Sequence, residues 1–189
     1  MSRRFQPIAI VVLTVAATSA CGVGAASPTP PSSTALPPAT SFEEYAESFC
    51  AAFDALFLAI GNPDTGARSE LHMALDDAVA ALDAEAAERL ATQITGTLEA
   101  GRQDVARAGG WLPGAPIMDQ LDRVFVAFEA YVAAKSAAAM GDPGAGDPQT
   151  ALEEAGGIDA WFAMFSLYPA LEAERPATTQ QCANVPVSP

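Results

Sequence analysis

The chain has 189 residues, of which half are apolar and 17% charged, with a formal charge of −14. That length holds a single domain with a proper core, and the composition excludes a disordered or collagen-like chain. An excess of acid this large repels nucleic acid and anionic lipid headgroups, so no nucleic-acid partner is expected.

The chain opens on Met1-Ser-Arg-Arg4, runs through an apolar stretch from Ile8 to Ala17, and then turns to small residues. Those are the three parts of an export signal. The apolar stretch is about ten residues, half of the ~20 that a spanning helix needs, so a permanent transmembrane anchor is not expected. Removal of residues 1–20 takes Arg3 and Arg4 away and leaves seven basic against 23 acidic residues, a charge of −16.

Thr18-Ser19-Ala20-Cys21 resembles the lipobox of bacterial lipoprotein precursors, with Thr18 where leucine is most usual. The resemblance covers residues 1–21 only. It implies cleavage before Cys21, acylation of that cysteine, and attachment to membrane lipid on the outer face of the cell. A second cut site, Val23-Gly24-Ala25, would release a secreted chain without Cys21. Residues 22–40 hold no charge and five prolines, at 28, 30, 31, 37 and 38. Such a segment is expected to be disordered and extended, reaching at most ~60 Å, as a spacer between a lipid and a domain requires.

The chain has three cysteines, Cys21, Cys50 and Cys182. In an oxidising compartment thiols tend to pair, and either loss or acylation of Cys21 leaves an even number. A Cys50–Cys182 disulfide is therefore expected. It would close a loop of about 130 residues and contribute up to ~5 kcal/mol in the chain-entropy account.

From Ser41 to the C-terminus the apolar spacing is helical. Ser41-Phe-Glu-Glu44 is a capping-box pattern, and behind it Phe42, Tyr45, Phe49, Phe53, Leu56 and Ile60 recur at steps of three and four until Gly61-Asn62-Pro63 ends the helix. A second helix is expected over about 66–82, with Leu71, Leu75, Val79 and Leu82 inward. Asp83 caps a third over 84–108 with Leu90, Ile94, Leu98, Gly101 and Val105 inward, unless the two form one broken rod. Gly96 and Gly101 are each worth about 1 kcal/mol less than alanine inside a helix and point to close approach or a kink.

After a turn at 111–116, Pro116 starts a fourth helix whose apolar face is Ile117, Leu121, Val124, Phe125, Phe128, Tyr131 and Val132, ending near Met140-Gly141. A short helix around 149–155 and a last one beyond Gly156-Gly157, carrying Trp161, Phe162, Phe165 and Leu167-Tyr168, follow; Pro169 is a candidate break, with Ala170 to Glu174 continuing a turn or so as the alternative. No stretch alternates as a strand does. The expected fold is all-α, an up-and-down bundle of four to five helices over residues 41–189, behind a signal peptide (1–20) and a linker (21–40).

The inventory for chemistry is thin. His72 is the single histidine, so a histidine-based zinc site lacks partners, and the di-iron pattern of two Glu-x-x-His pairs is absent. His72 is read as a solvated residue on a polar face, and Lys135, the single lysine, as a charge offsetting a helix dipole. Asp142 and Asp147 lack the ligand spacing of a calcium loop, and Asp147 before Pro148 is read as a cap. There is no nucleophile elbow and no phosphate-cradling glycine loop. No catalytic residue, metal or cofactor is expected. The chain is read as a non-enzymatic binding or interaction module for a protein or small-molecule partner, with a second reading as a carrier of small apolar ligands in a pocket among Phe53, Phe125, Phe128, Trp161 and Phe165.

Overall fold

The computed structural model describes residues 37–63 and 65–174. Cys21, the signal segment, most of the linker and Cys182 lie outside the described residues. Six helices occur among the described residues: α1 (Phe42–Ile60), α2 (Glu70–Ala80), α3 (Ala84–Ala108), α4 (Ala115–Ala139), α5 (Pro148–Glu154) and α6 (Gly157–Glu174). The protein is an all-α helical bundle.

The caps are those the sequence announces. The Ser41 hydroxyl accepts from the Glu44 backbone N–H while the Glu44 carboxylate accepts from the Ser41 backbone N–H, closing the capping box. Asp83 accepts from Ala86 N at 3.0 Å to start α3, and Asp147 accepts from Thr150 N at 2.8 Å to start α5. Leu82 adopts φ 54° between α2 and α3, so the two are separate helices and not one rod. α6 runs through Pro169 to Glu174, losing at most one backbone hydrogen bond there.

The four long helices pack in the order α1, α3, α4, α6, and rings of α6 close back on α1: Phe49 meets Tyr168 and Phe53 meets Trp161. Burying Phe53, Leu56, Leu98, Leu121 and Phe125 completely, at roughly 1.5–3 kcal/mol per side chain, is the main favourable contribution. α3 carries no aromatic residue, and at Gly101 it approaches α4 closely: a Cβ there would lie 2.6 Å from Phe125 Cζ and 2.9 Å from Ala55 Cβ. Gly96 faces open space, so close approach accounts for one of the two glycines.

Three expectations are corrected. α2 is shorter than 66–82 and differently phased: Leu75, Ala78 and His72 are buried while Leu82 is 74% exposed in the inter-helix link. Residues 61–68, expected to be a plain helix stop and start, hold a minimal antiparallel hairpin, β1 (Gly61–Asn62) with β2 (Ala67–Arg68), paired Gly61 to Arg68 and Asn62 to Ala67. The folded unit also begins ahead of Ser41. Ala39 is buried and donates its N–H to Arg107 O at 2.8 Å, which docks the end of the proline-rich segment on α3.

Candidate ligand-binding site

One end of the bundle carries the candidate site, and the hairpin builds it. Gly61 ends α1 with φ 100°, a conformation open to glycine, and its N–H still reaches Phe57 O. The chain then doubles back, so that Ser69 N donates to Ile60 O at 3.3 Å and the Ser69 hydroxyl to Ala59 O at 2.9 Å. The same hydroxyl accepts from His72 N at 3.0 Å and caps α2. α2 therefore starts directly beneath the end of α1, with His72 turned inward.

His72 is not solvated; it is 9% exposed. Its Nδ1 lies 2.9 Å from Ile60 O. A carbonyl only accepts, so Nδ1 carries the proton and Nε2 presents a lone pair. Two donors converge on that lone pair: the Tyr131 hydroxyl at 3.0 Å and Lys135 Nζ at 3.2 Å. Lys135 is also paired with Asp76, which is paired in turn with Arg68. The Asp76 carboxylate approaches Nε2 to 3.8 Å. The Lys135 ammonium stands over the Tyr131 ring, 4.9 Å from its centre.

These contacts correct the reading of Lys135 as a dipole-offsetting surface charge. Its side chain is 13% exposed and it lies a full turn inside α4. Burial, aided by the charge of Arg68, pushes its ammonium down to about 8. Burial also holds the His72 imidazole below its ordinary value, against the pull of the Ile60 carbonyl, with Lys135 and Arg68 adding to the depression. The Tyr131 phenol is pushed up, again chiefly by burial.

The depressed imidazole gives a pH dependence with a definite sign. The folded ring stays neutral at a pH where the unfolded ring takes a proton, so His72 contributes stability above about 6.5 that is lost as pH falls. Urea unfolding between pH 7 and 5 is expected to show this loss, up to about 1.4 kcal/mol per pH unit until the folded ring protonates. The slope should flatten in His72→Gln. Equal slopes in both proteins would exclude a buried neutral imidazole.

Two hollows adjoin the cluster. The first, about 270 Å³, is lined by Arg68, His72, Tyr131, Asn62 and Gln149 together with apolar residues of the hairpin and of α4 and α5. The second, about 330 Å³, is apolar and is lined by Gly157, Ile158, Trp161 and Phe162 of α6. Pro63, Phe128 and Leu152 line both, so the polar and apolar hollows share one wall. Each alone is at the low end for a small-molecule site, and side by side they fall within the usual range.

The five aromatics expected to line a pocket divide between core and groove. Phe128 and Trp161 line the apolar hollow. Phe53 and Phe125 are fully buried in the core and line neither hollow, and Phe165 is half-buried against Trp161 and Tyr168. Cys50 is half-buried on α1 and packs on the core beside Phe49. The loop acids serve local structure: Asp147 caps α5 and Asp142 accepts from Gly144 N at 2.8 Å. Among the described residues no cluster of histidine, cysteine and acidic side chains has the geometry to hold a metal.

His72, Asp76, Arg68, Tyr131 and Lys135 form a network that could move protons, but its parts face in different directions. Lys135 and Asp76 are turned to each other, whereas Arg68, His72 and Tyr131 reach the hollow. The arrangement positions donors at a cavity wall. Two spacings in the sequence carry the signal for it: His72 with Asp76, and Tyr131 with Lys135, are each four apart, which puts each pair on one helix face. Compared with known protein families, curated proteins and solved structures, the chain shows no match.

Proposed function

We propose that this chain is the precursor of an exported lipoprotein whose helical domain works by binding, at the outer face of the cell membrane, without chemistry of its own. The reading of the front end rests on the Arg3-Arg4 start, the short apolar run and Thr18-Ser19-Ala20-Cys21. Cys21 becomes the acylated N-terminus and holds the domain to membrane lipid, where more than one acyl chain makes attachment stable. No helix among the described residues is long and apolar enough to cross a membrane. Cys50 pairs with Cys182, tying the C-terminal segment to α1.

The observation that carries the binding reading is the pair of adjoining hollows at the hairpin end of the bundle, which favours a small ligand with an apolar portion. Two measurements test the reading. The mature protein from a lipoprotein-processing host is expected to begin at an acylated Cys21 and to stay with membranes, and Cys21→Ser is expected to lose both properties. An unmodified chain beginning at Ala26 would overturn the anchor. The apolar dye N-phenyl-1-naphthylamine is expected to brighten on binding, and Phe162→Asp to weaken it by about ten-fold. Phe162 is 67% exposed, so a charge there leaves the core intact while entering the hollow's wall. A dye that binds both proteins equally, or neither, would remove the apolar hollow as a binding site.

A further inference from the structure

We infer that the two hollows together take a single-chain amphiphile with a compact carboxylate head, the head against Arg68 and Tyr131 and the chain lying across Phe128 and Leu152 toward Trp161 and Phe162. The inference rests on the binding reading above and adds to it the charge and shape of the ligand.

The first argument is a surplus of donors. His72 Nε2 has one lone pair, and both the Tyr131 hydroxyl and Lys135 Nζ are within 3.2 Å of it. Lys135 has two calls on its ammonium, Nε2 and Asp76, and can satisfy both at once because an ammonium carries three donors. When Lys135 serves Nε2, the Tyr131 O–H is released. Tyr131 lines the polar hollow and Lys135 does not, so the released donor belongs to the group that faces the cavity. Its one hydrogen bond among the described residues is to His72, so the released hydroxyl can turn to a ligand.

The second argument is charge. Among the described residues, Arg68 is the one ionised side chain lining the polar hollow. It gives Nη1 to Asp76, which leaves its other guanidinium N–H groups, and its side chain is 59% exposed. With His72 neutral, Arg68 and Lys135 outweigh Asp76 by one positive charge in a chain whose total is −14. Asp147 adds a negative charge that is felt at Tyr131, and its Oδ2 accepts from both the backbone and the hydroxyl of Thr150 at the start of α5. The Arg68 guanidinium at the wall repels a cationic head, whereas an anion finds a guanidinium and a phenol.

The third argument is continuity. The polar hollow ends on Phe128 and Leu152, and the apolar hollow begins on the same two residues. A ligand that is only polar would leave the second hollow empty, and one that is only apolar would cover the remaining Arg68 N–H groups without offering them an acceptor.

The test uses the full chain carrying Cys21→Ser and Trp111→Phe, so that no acyl group is present and Trp161 alone reports, and titrates it with decanoate, decanol and decylamine at pH 7.5. Decanoate is expected to bind at least ten-fold more tightly than decanol, with decylamine weakest. Arg68→Gln and Tyr131→Phe are each expected to remove about ten-fold from decanoate and to leave decanol unchanged. Circular dichroism and urea unfolding of the two variants confirm that they fold. Decanoate and decanol binding equally, or either variant keeping the preference, would overturn the anionic head while the apolar groove stands. Failure of all three probes to alter Trp161 would overturn the groove as well.

Discussion

Replacing Asp76 with alanine is expected to lower the unfolding free energy by about 2–3 kcal/mol. Asp76 pairs with both Arg68 and Lys135 and stands 3.8 Å from His72 Nε2. Its loss leaves an ammonium that is 13% exposed with a neutral imidazole as its nearest acceptor. A fully buried orphan charge costs more than this; the 21% exposure of Asp76 lets some water in and lowers the figure. The double variant Asp76→Ala/Lys135→Met is expected to recover most of the loss, because it removes the charge that was orphaned and keeps the stem that packs.

The pH profile separates this account from a simple loss of packing. The Lys135 ammonium is already depressed to about 8 in the folded protein against an ordinary 10.5. Between those values the unfolded chain holds a proton that the folded chain does not, so this group makes stability rise with pH. In Asp76→Ala the depression deepens and the rise starts lower, below pH 8. Urea unfolding between pH 6.5 and 9.5 measures it. A loss below about 0.5 kcal/mol, or a rise that begins where it does in the parent, would show that Asp76 does not hold Lys135.

Gly61→Ala is expected to cost about 3 kcal/mol and to abolish ligand binding. At φ 100° alanine is strained by itself. Its Cβ would also overlap the Ala67 carbonyl oxygen and lie 2.7 Å from Arg68 Cα and Ser69 N. All three are backbone atoms, so relief requires β1 and β2 to part. That parting carries away Arg68 and the Ile60 carbonyl that fixes the His72 tautomer. Gly66→Ala is the control: it has φ 69° but nothing within 4 Å, and strain alone should cost it about 1 kcal/mol with binding retained. Equal losses in the two variants, read by urea unfolding and by decanoate titration, would show that the hairpin is not what shapes the site.

How much of this was legible in the chain depends on the range of the forces involved. The capping acid Asp83 and the run that follows it mark the start of α3 at Ala84 and its end near Ala108, because a cap and an i, i+4 stripe act within one or two turns. Pro116 places the start of α4 within a residue of Ala115 for the same reason. α2 escaped that reading: with eleven residues it offers three turns, too few for Leu71, Val79 and Leu82 to outweigh the capture of its N-terminus by the end of α1. The hairpin left no alternating stretch to notice, since each strand has two residues.

The candidate site shows the same division more sharply. Its groups were all visible as residues, and two of its spacings were helical, yet His72 meets Tyr131 across 59 positions and Lys135 across 63. Nothing local to His72 distinguishes a buried imidazole between two donors from a wet one, because the partners arrive on another helix. Likewise Phe53 and Phe128 look alike in a periodic stripe, and only the packing of α5 and α6 against α4 leaves one in the core and the other at a cavity wall.

Sequence alone thus determined the all-α class and the bounds of α1, α3 and α4 to within a residue or so, for these depend on periodicity, caps and composition within a few residues of each position. The tertiary structure decided which polar groups are dry, which nitrogen of His72 holds the proton, and where aromatic surface is left facing a hollow. Those are properties of the contact between α1, α2, α4 and α6, and a burial or a hydrogen bond exists only once its distant partner is in place.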